Sequence, residues 1–156
     1  MGKLYILLET YGISHQNKVN KLIHWIFVPL IMFSLIGLIL HIPFVFIKTW
    51  YFNWASLVLL AILIYYFRLS KPIFLGFIII GFLLLKMNWY LIEYCSLNNC
   101  NSVITLVIIF TIAWIGQFIG HKIEGKKPSF LEDIQYLLIG PAWLLHFIYK
   151  KLGISY

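Results

Sequence analysis

Two short polar clusters interrupt a chain that is otherwise built from apolar residues. The first, Ser14-His15-Gln16-Asn17-Lys18-Val19-Asn20-Lys21-Leu22-Ile23-His24, precedes the first long apolar run. The second, Trp114-Ile115-Gly116-Gln117-Phe118-Ile119-Gly120-His121-Lys122-Ile123-Glu124-Gly125, closes the fourth. Together they hold three of the five histidines. Imidazole nitrogens beside amides and a carboxylate are ligands for first-row metals. If both clusters lie on one membrane face, the chemistry they predict is that of a metal site acting on a lipid.

Helical phase decides which of these residues can look the same way. Asn20 and His24 stand four residues apart and Asn17 and His24 seven, so one helix would stack all three on a face. His15 is half a turn out of phase with His24 and would join it only from a preceding loop. Gln117, His121 and Glu124 share a face at i, i+4 and i+7, and Gly125 and Pro128 mark the end of that helix. His121 with a carboxylate one turn on makes a metal half-site in which Gln117 can orient a ligand from behind. A bland alternative stays open for both clusters. The first would be a helix start facing lipid headgroups, and the second a helix end where His121 and Lys122 meet the negative end of the dipole. His41, beside Pro43, reads as an interfacial residue.

Composition names the solvent. The chain has 156 residues, 62% of them hydrophobic and 11% charged, with a mean hydropathy of +0.92. One domain of this size, 1–156, cannot bury that much apolar surface in water, so the bilayer must solvate it. The formal net charge of +7 comes from lysines scattered at segment ends rather than from a stripe, which argues for membrane orientation and against a nucleic-acid partner. Met1–Thr10 has no small-residue cleavage site, so the apolar run after His24 is expected to be a retained span. Cys95 and Cys100 lie in one short loop without a nearby histidine, which favours a loop disulfide or two free thiols over a zinc site.

The elements that must position the clusters are read from apolar run lengths. They give spans at His24–Leu40, about Trp50–Phe67, about Pro72–Ile92 and Ser102–Ile119. A fifth stretch, Phe130–Tyr149, opens with the capping-box pattern Ser129-Phe130-Leu131-Glu132, where Glu132 and Asp133 suit a first turn. It contains Gly140-Pro141, where the helix is expected to break and turn back as a re-entrant hairpin. That hairpin would return His146 to the side of the other histidines. The fold class is thus an all-α integral membrane protein, four transmembrane helices plus a broken fifth segment. Lys3, Lys18, Lys21, Arg68, Lys71, Lys122, Lys126 and Lys127 all fall on one side of this arrangement, so the N-terminus is expected to be cytosolic. His15, His24, His121 and Glu124 fall on that same side. Ile-, Lys- and Asn-rich usage points to an AT-rich bacterial genome and its inner membrane; in a eukaryote the endoplasmic reticulum is the expected membrane.

Several chemistries lack their motifs: there is no Gly-rich phosphate loop, HExxH, Ser nucleophile elbow or CxxCH, nor the repeated HxxHH boxes of membrane desaturases. The run from His15 through Asn17, Asn20 and His24 to Pro29, and the run from Trp114 through Gln117, Gly120 and His121 to Glu124 and Pro128, resemble the two signatures of a known family. It is the small membrane 2-hydroxy fatty acid dioxygenases, named for metabolism of phytosphingosine to odd-numbered fatty acids. The resemblance implies Fe(2+)-dependent α-oxidation, in which a 2-hydroxy fatty acid and O2 give CO2 and the acid one carbon shorter. It carries His15, His24 and His121 over as iron ligands or essential site residues. The His121-to-Glu124 spacing is one residue shorter than in yeast-like members, and Glu124 and His146 stand as rival further ligands. Asn17, Asn20 and Gln117 are then supporting residues, and Lys126 or Lys127 would offset the substrate carboxylate. The reading from another class is a non-catalytic helical membrane protein that binds a lipid or a metal. A small transporter fits less well, because the polar residues gather at one face rather than at the midplane.

Overall fold

The computed structural model describes residues 2–128 and 135–156. Among these, the chain forms six helices and no strand: α1 (Lys3–Ile13), α2 (Lys18–His41), α3 (Trp54–Leu69), α4 (Lys71–Leu97), α5 (Ser102–Glu124) and α6 (Tyr136–Leu152). Helix starts are written locally. Asn17 accepts from the backbone N–H of Val19 at 2.8 Å, Asn53 from Ser56 at 2.9 Å and Asn101 from Val103 at 3.0 Å. Ser70 ends α3 by donating its N–H to Tyr66 and starts α4 by accepting from Ile73. Each cap satisfies donors that the first helical turn leaves without partners.

Three helices, α2, α4 and α5, are long and apolar enough to cross a membrane, at 24, 27 and 23 residues. The expected second span is a shorter apolar helix, α3, which begins only at Trp54 because Asn53 caps it there. Bilayer logic shows in what faces outward. Leu60, Ile64, Ile79, Phe82, Ile108 and Ile112 are exposed, while Asn20, Ser34, Asn88 and Gln117 are buried. Polar groups inside and apolar groups outside is the pattern that lipid imposes. At the end of the fold opposite α1, His41 hydrogen-bonds the Ser102 hydroxyl at 2.8 Å, and a disulfide joins Cys95 to Cys100 in the α4–α5 loop.

Two features depart from the sequence expectations. The N-terminal residues form a helix, α1, that buries Leu4, Leu7, Leu8 and Tyr11 at i, i+3, i+4 and i+7 against Trp143, Leu144 and Leu145 of α6. The re-entrant hairpin is corrected: α6 runs unbroken from Tyr136 to Leu152 with Pro141 inside it. A proline in a helix removes one hydrogen bond and crowds the carbonyl four residues back, which bends a helix more readily than it reverses one. Here the turn at Pro141 is braced, since the buried Tyr66 hydroxyl donates to the Leu138 carbonyl at 2.6 Å. Gly140 lets α6 lie close to the Tyr11 ring. The capping-box residues Ser129 and Glu132, and with them Asp133, lie outside the described residues.

Candidate metal centre

Glycines bring the two polar clusters together. Gly116 and Gly120 lie one turn apart on α5, and a Cβ at Gly116 would strike the Phe27 ring, while one at Gly120 would strike the Asn20 side chain. Removing side chains at both places lets the Phe27 ring and the Asn20 amide of α2 seat directly on the α5 backbone, the close packing that small residues four apart allow in membranes. Gln117 and His121, on the same side of α5, are thereby pressed against Asn20 and His24. Gly125 ends α5 in the left-handed conformation at φ 72°, which costs glycine little.

His15, His24 and His121 converge, with one potential ligand atom from each lying within 4.8 Å of the others. All three are buried, at 0%, 1% and 5% exposure. The hydrogen bonds fix two of the rings. His15 Nδ1 lies 2.6 Å from the Tyr11 carbonyl, and His24 Nδ1 lies 2.9 Å from the Asn20 carbonyl. A carbonyl only accepts, so both Nδ1 atoms carry the proton and both Nε2 atoms are bare lone pairs. Yet those Nε2 atoms face each other at 3.0 Å. Two lone pairs at that distance repel unless a cation lies between them. Imidazole nitrogens bound at ~2.1 Å to one metal, at right angles, would sit roughly 3 Å apart. His121 Nδ1 is buried without a hydrogen-bond partner. The donor set therefore fits a first-row metal: three neutral imidazoles, two of them with the N–H anchored on backbone oxygen as metal-bound histidines have it. Burial, followed by the neighbouring His24 ring, pushes His15 down to about 3, which keeps it neutral and available as a ligand.

The other expected site residues are distributed differently. Glu124 is not in the cluster. Its Oε1 accepts from the Gln16 N–H at 2.7 Å, and its Oε2 accepts from the Asn17 N–H at 2.9 Å and from Asn20 Nδ2 at 3.0 Å. The carboxylate thus ties the end of α5 to the loop carrying His15. Asn17 is the α2 cap rather than a member of the His24 face, and Asn20 reaches back to Glu124. Gln117 lines a cavity of about 60 Å³ with His24, His121 and Tyr11, and its Nε2 is buried without a partner. His146 stands apart from the cluster; without the hairpin, α6 carries it past Trp143 to a cleft with Glu9, Lys150 and Tyr156. Lys126 Nζ donates to the Ile13 carbonyl at 2.9 Å, closing the end of α1, and Lys127 is exposed. Two aromatics had no part in the sequence expectations. Tyr11 stacks on His15 with ring centroids 4.0 Å apart, and Trp143 lies 5.3 Å from the same ring. The i, i+3, i+4, i+7 spacing of α1 was the available signal for Tyr11; nothing local marks Trp143.

An all-helical membrane protein with a buried three-histidine cluster at one end of its long helices is the class that fold and site define. Within it, the chain belongs to the Mpo1-like family, described as 2-hydroxy-palmitic acid dioxygenase Mpo1-like, whose family model matches residues 3–152. It is similar to the 2-hydroxy-palmitic acid dioxygenase MPO1 of Saccharomyces cerevisiae, at 32% identity over 153 residues, covering 94% of this chain and 79% of the yeast protein. No solved structure matches it.

Proposed function

We propose that the chain is an Fe(2+)-dependent dioxygenase of fatty acid α-oxidation, taking a long-chain 2-hydroxy fatty acid and O2 to CO2, water and the acid one carbon shorter. The observation that carries this reading is the pair of histidine lone pairs facing each other at 3.0 Å beside a third buried histidine. The overall change is balanced without a further reductant. Cleaving the C1–C2 bond and oxidising the hydroxyl carbon to a carboxyl releases four electrons, and reduction of one O2 consumes four. Iron bound by His15, His24 and His121 would bring the 2-hydroxy acid and O2 together and relay electrons between them.

The chain's own residues supply position and exclusion of water. Tyr11 and Asn20 carbonyls hold the ring protons of His15 and His24 away from the site. Gln117, with its unpartnered amide nitrogen in the cavity wall, would donate to a substrate oxygen. Tyr11 and Trp143 wall His15 off from solvent. Lys127 would offset the substrate carboxylate at the rim, while Lys126 holds α1 in place. The basic residues at this end further support a cytosolic N-terminus. That orientation puts the Cys95–Cys100 disulfide on the opposite side, the oxidising one, where disulfides persist.

The test uses purified full-length protein reconstituted with Fe(II). With a long-chain 2-hydroxy acid it should consume O2 and release the shortened acid, and His24→Ala and His121→Ala should each lose iron and turnover while keeping helical content. Variants that retain both iron and activity would overturn the site. Iron bound without O2 consumption would favour the non-catalytic reading.

A further inference from the structure

We infer that an apolar channel leading from the histidine cavity is the site for the substrate's acyl chain, and that Gly81 and Leu59 at its inner end set the chain length accepted. The inference rests on the substrate class proposed above. The channel is a separate cavity of about 380 Å³ among α2 to α6, and it shares the wall residues Ile31, Met32, Trp114, Leu137 and Pro141 with the cavity beside His24 and His121. Its side chains are apolar apart from Tyr66, whose hydroxyl already donates to the Leu138 carbonyl, and the indole nitrogen of Trp114. An alkyl chain there would meet what its own chemistry prefers.

Length agrees with the occupant. From His24 to Ile36 on α2, twelve residues cover roughly 18 Å at 1.5 Å each. An extended alkyl chain advances roughly 1.3 Å per carbon, given C–C bonds of about 1.5 Å. Some fourteen carbons would therefore reach from the His24 cavity to the inner end of the channel, which is the long-chain range. Leu35 and Leu137, both in the wall, are 45% and 42% exposed, so the channel opens sideways toward lipid and a membrane-dissolved substrate can enter without crossing water. Its inner end is buried, formed by Ile36, Leu59, Gly81 and Leu84. A Cβ on Gly81 would touch only the Leu59 methyls, at 3.7 Å. That is ordinary contact, so this position accepts a Cβ, and it lies in the channel wall beside Leu59.

Two substitutions work in opposite directions. Gly81→Leu should cut kcat/KM for long chains by roughly tenfold or more while sparing medium chains, since a single methylene in an apolar pocket is worth about 10- to 200-fold. Leu59→Ala should move the preferred length upward, a gain that misfolding cannot imitate. Binding is read separately, with a long-chain 2-hydroxy acid carrying a diazirine at its methyl end, photolysed on each full-length protein and mapped by mass spectrometry. Labels on the segments holding Leu59 and Leu84, lost in Gly81→Leu and kept with a shorter probe, are the expected result. Labels scattered over the lipid-facing helices, with length profiles unmoved by both variants, would overturn the channel. Correct labelling without turnover would sink the dioxygenase reading and leave the channel standing. Turnover with scattered labels would do the reverse.

Discussion

Each histidine of the cluster owes its usefulness to a neighbour. Tyr11 and Asn20 set the tautomers of His15 and His24 through backbone carbonyls, so substituting those side chains leaves the anchors in place. Glu124 is the residue whose side chain matters most outside the cluster, because one carboxylate receives three N–H groups from the His15 loop and Asn20. Glu124→Gln puts an amide donor among those donors and loosens the loop that carries His15, an indirect effect bounded by the about 10- to 100-fold in affinity that direct partners of metal ligands supply. Iron affinity, measured by competition with a chelator, should fall in that range while His146→Ala changes nothing; equal losses would mean His146 is the further ligand after all. Acid acts on the same residues. His15 is held at about 3 against an ordinary value of 6.5, so between those values the unfolded chain takes a proton that the folded chain refuses. Folded stability of the metal-free protein is therefore full above about pH 6.5 and declines as the pH falls toward 3. Thermal unfolding in detergent should show a Tm that drops with acid through this window, and a shallower drop in His15→Ala.

Among the elements, the α2–α5 seam decides whether the site exists. Gly120 lies against Asn20, and any side chain there must displace the amide that reaches Glu124. Overpacking of this kind costs about 1–3 kcal/mol. Gly120→Ala should lower Tm and weaken iron binding together, whereas Ile119→Ala, at an exposed neighbouring position, should do neither. If Gly120→Ala leaves iron binding intact, the close approach of the helices is not what builds the site. The helix α1 matters at this scale too. It supplies Tyr11 and leads directly into His15, and its apolar face is covered by α6.

At the scale of the whole molecule, the histidine cluster sits at one end of the long helices, and the His41–Ser102 pair and the disulfide sit at the other. The proposed orientation has a direct test: a cysteine placed at Lys3 or Lys127 should react with an impermeant thiol reagent only from the cytosolic side. The α4–α5 loop should become accessible from the opposite side after reduction. Labelling of Lys127→Cys from outside would invert the proposed orientation.

The sequence by itself determined the solvent, the long spans and the membrane edge on which the polar residues gather, because hydropathy and helical period are local properties carried by consecutive residues. It also singled out His15, His24 and His121, through two motifs whose spacing is visible along the chain. Only the tertiary structure decided what stands between them. Glu124 proved to be a tie rather than a member of the cluster because its partners, Gln16 and Asn17, lie more than a hundred positions away. His146 fell away from the group because α6 runs unbroken through Pro141 instead of turning back there. Tyr11 and Trp143 joined the wall of the site because helices remote in sequence pack where their apolar faces can be covered together, a choice that no local pattern records.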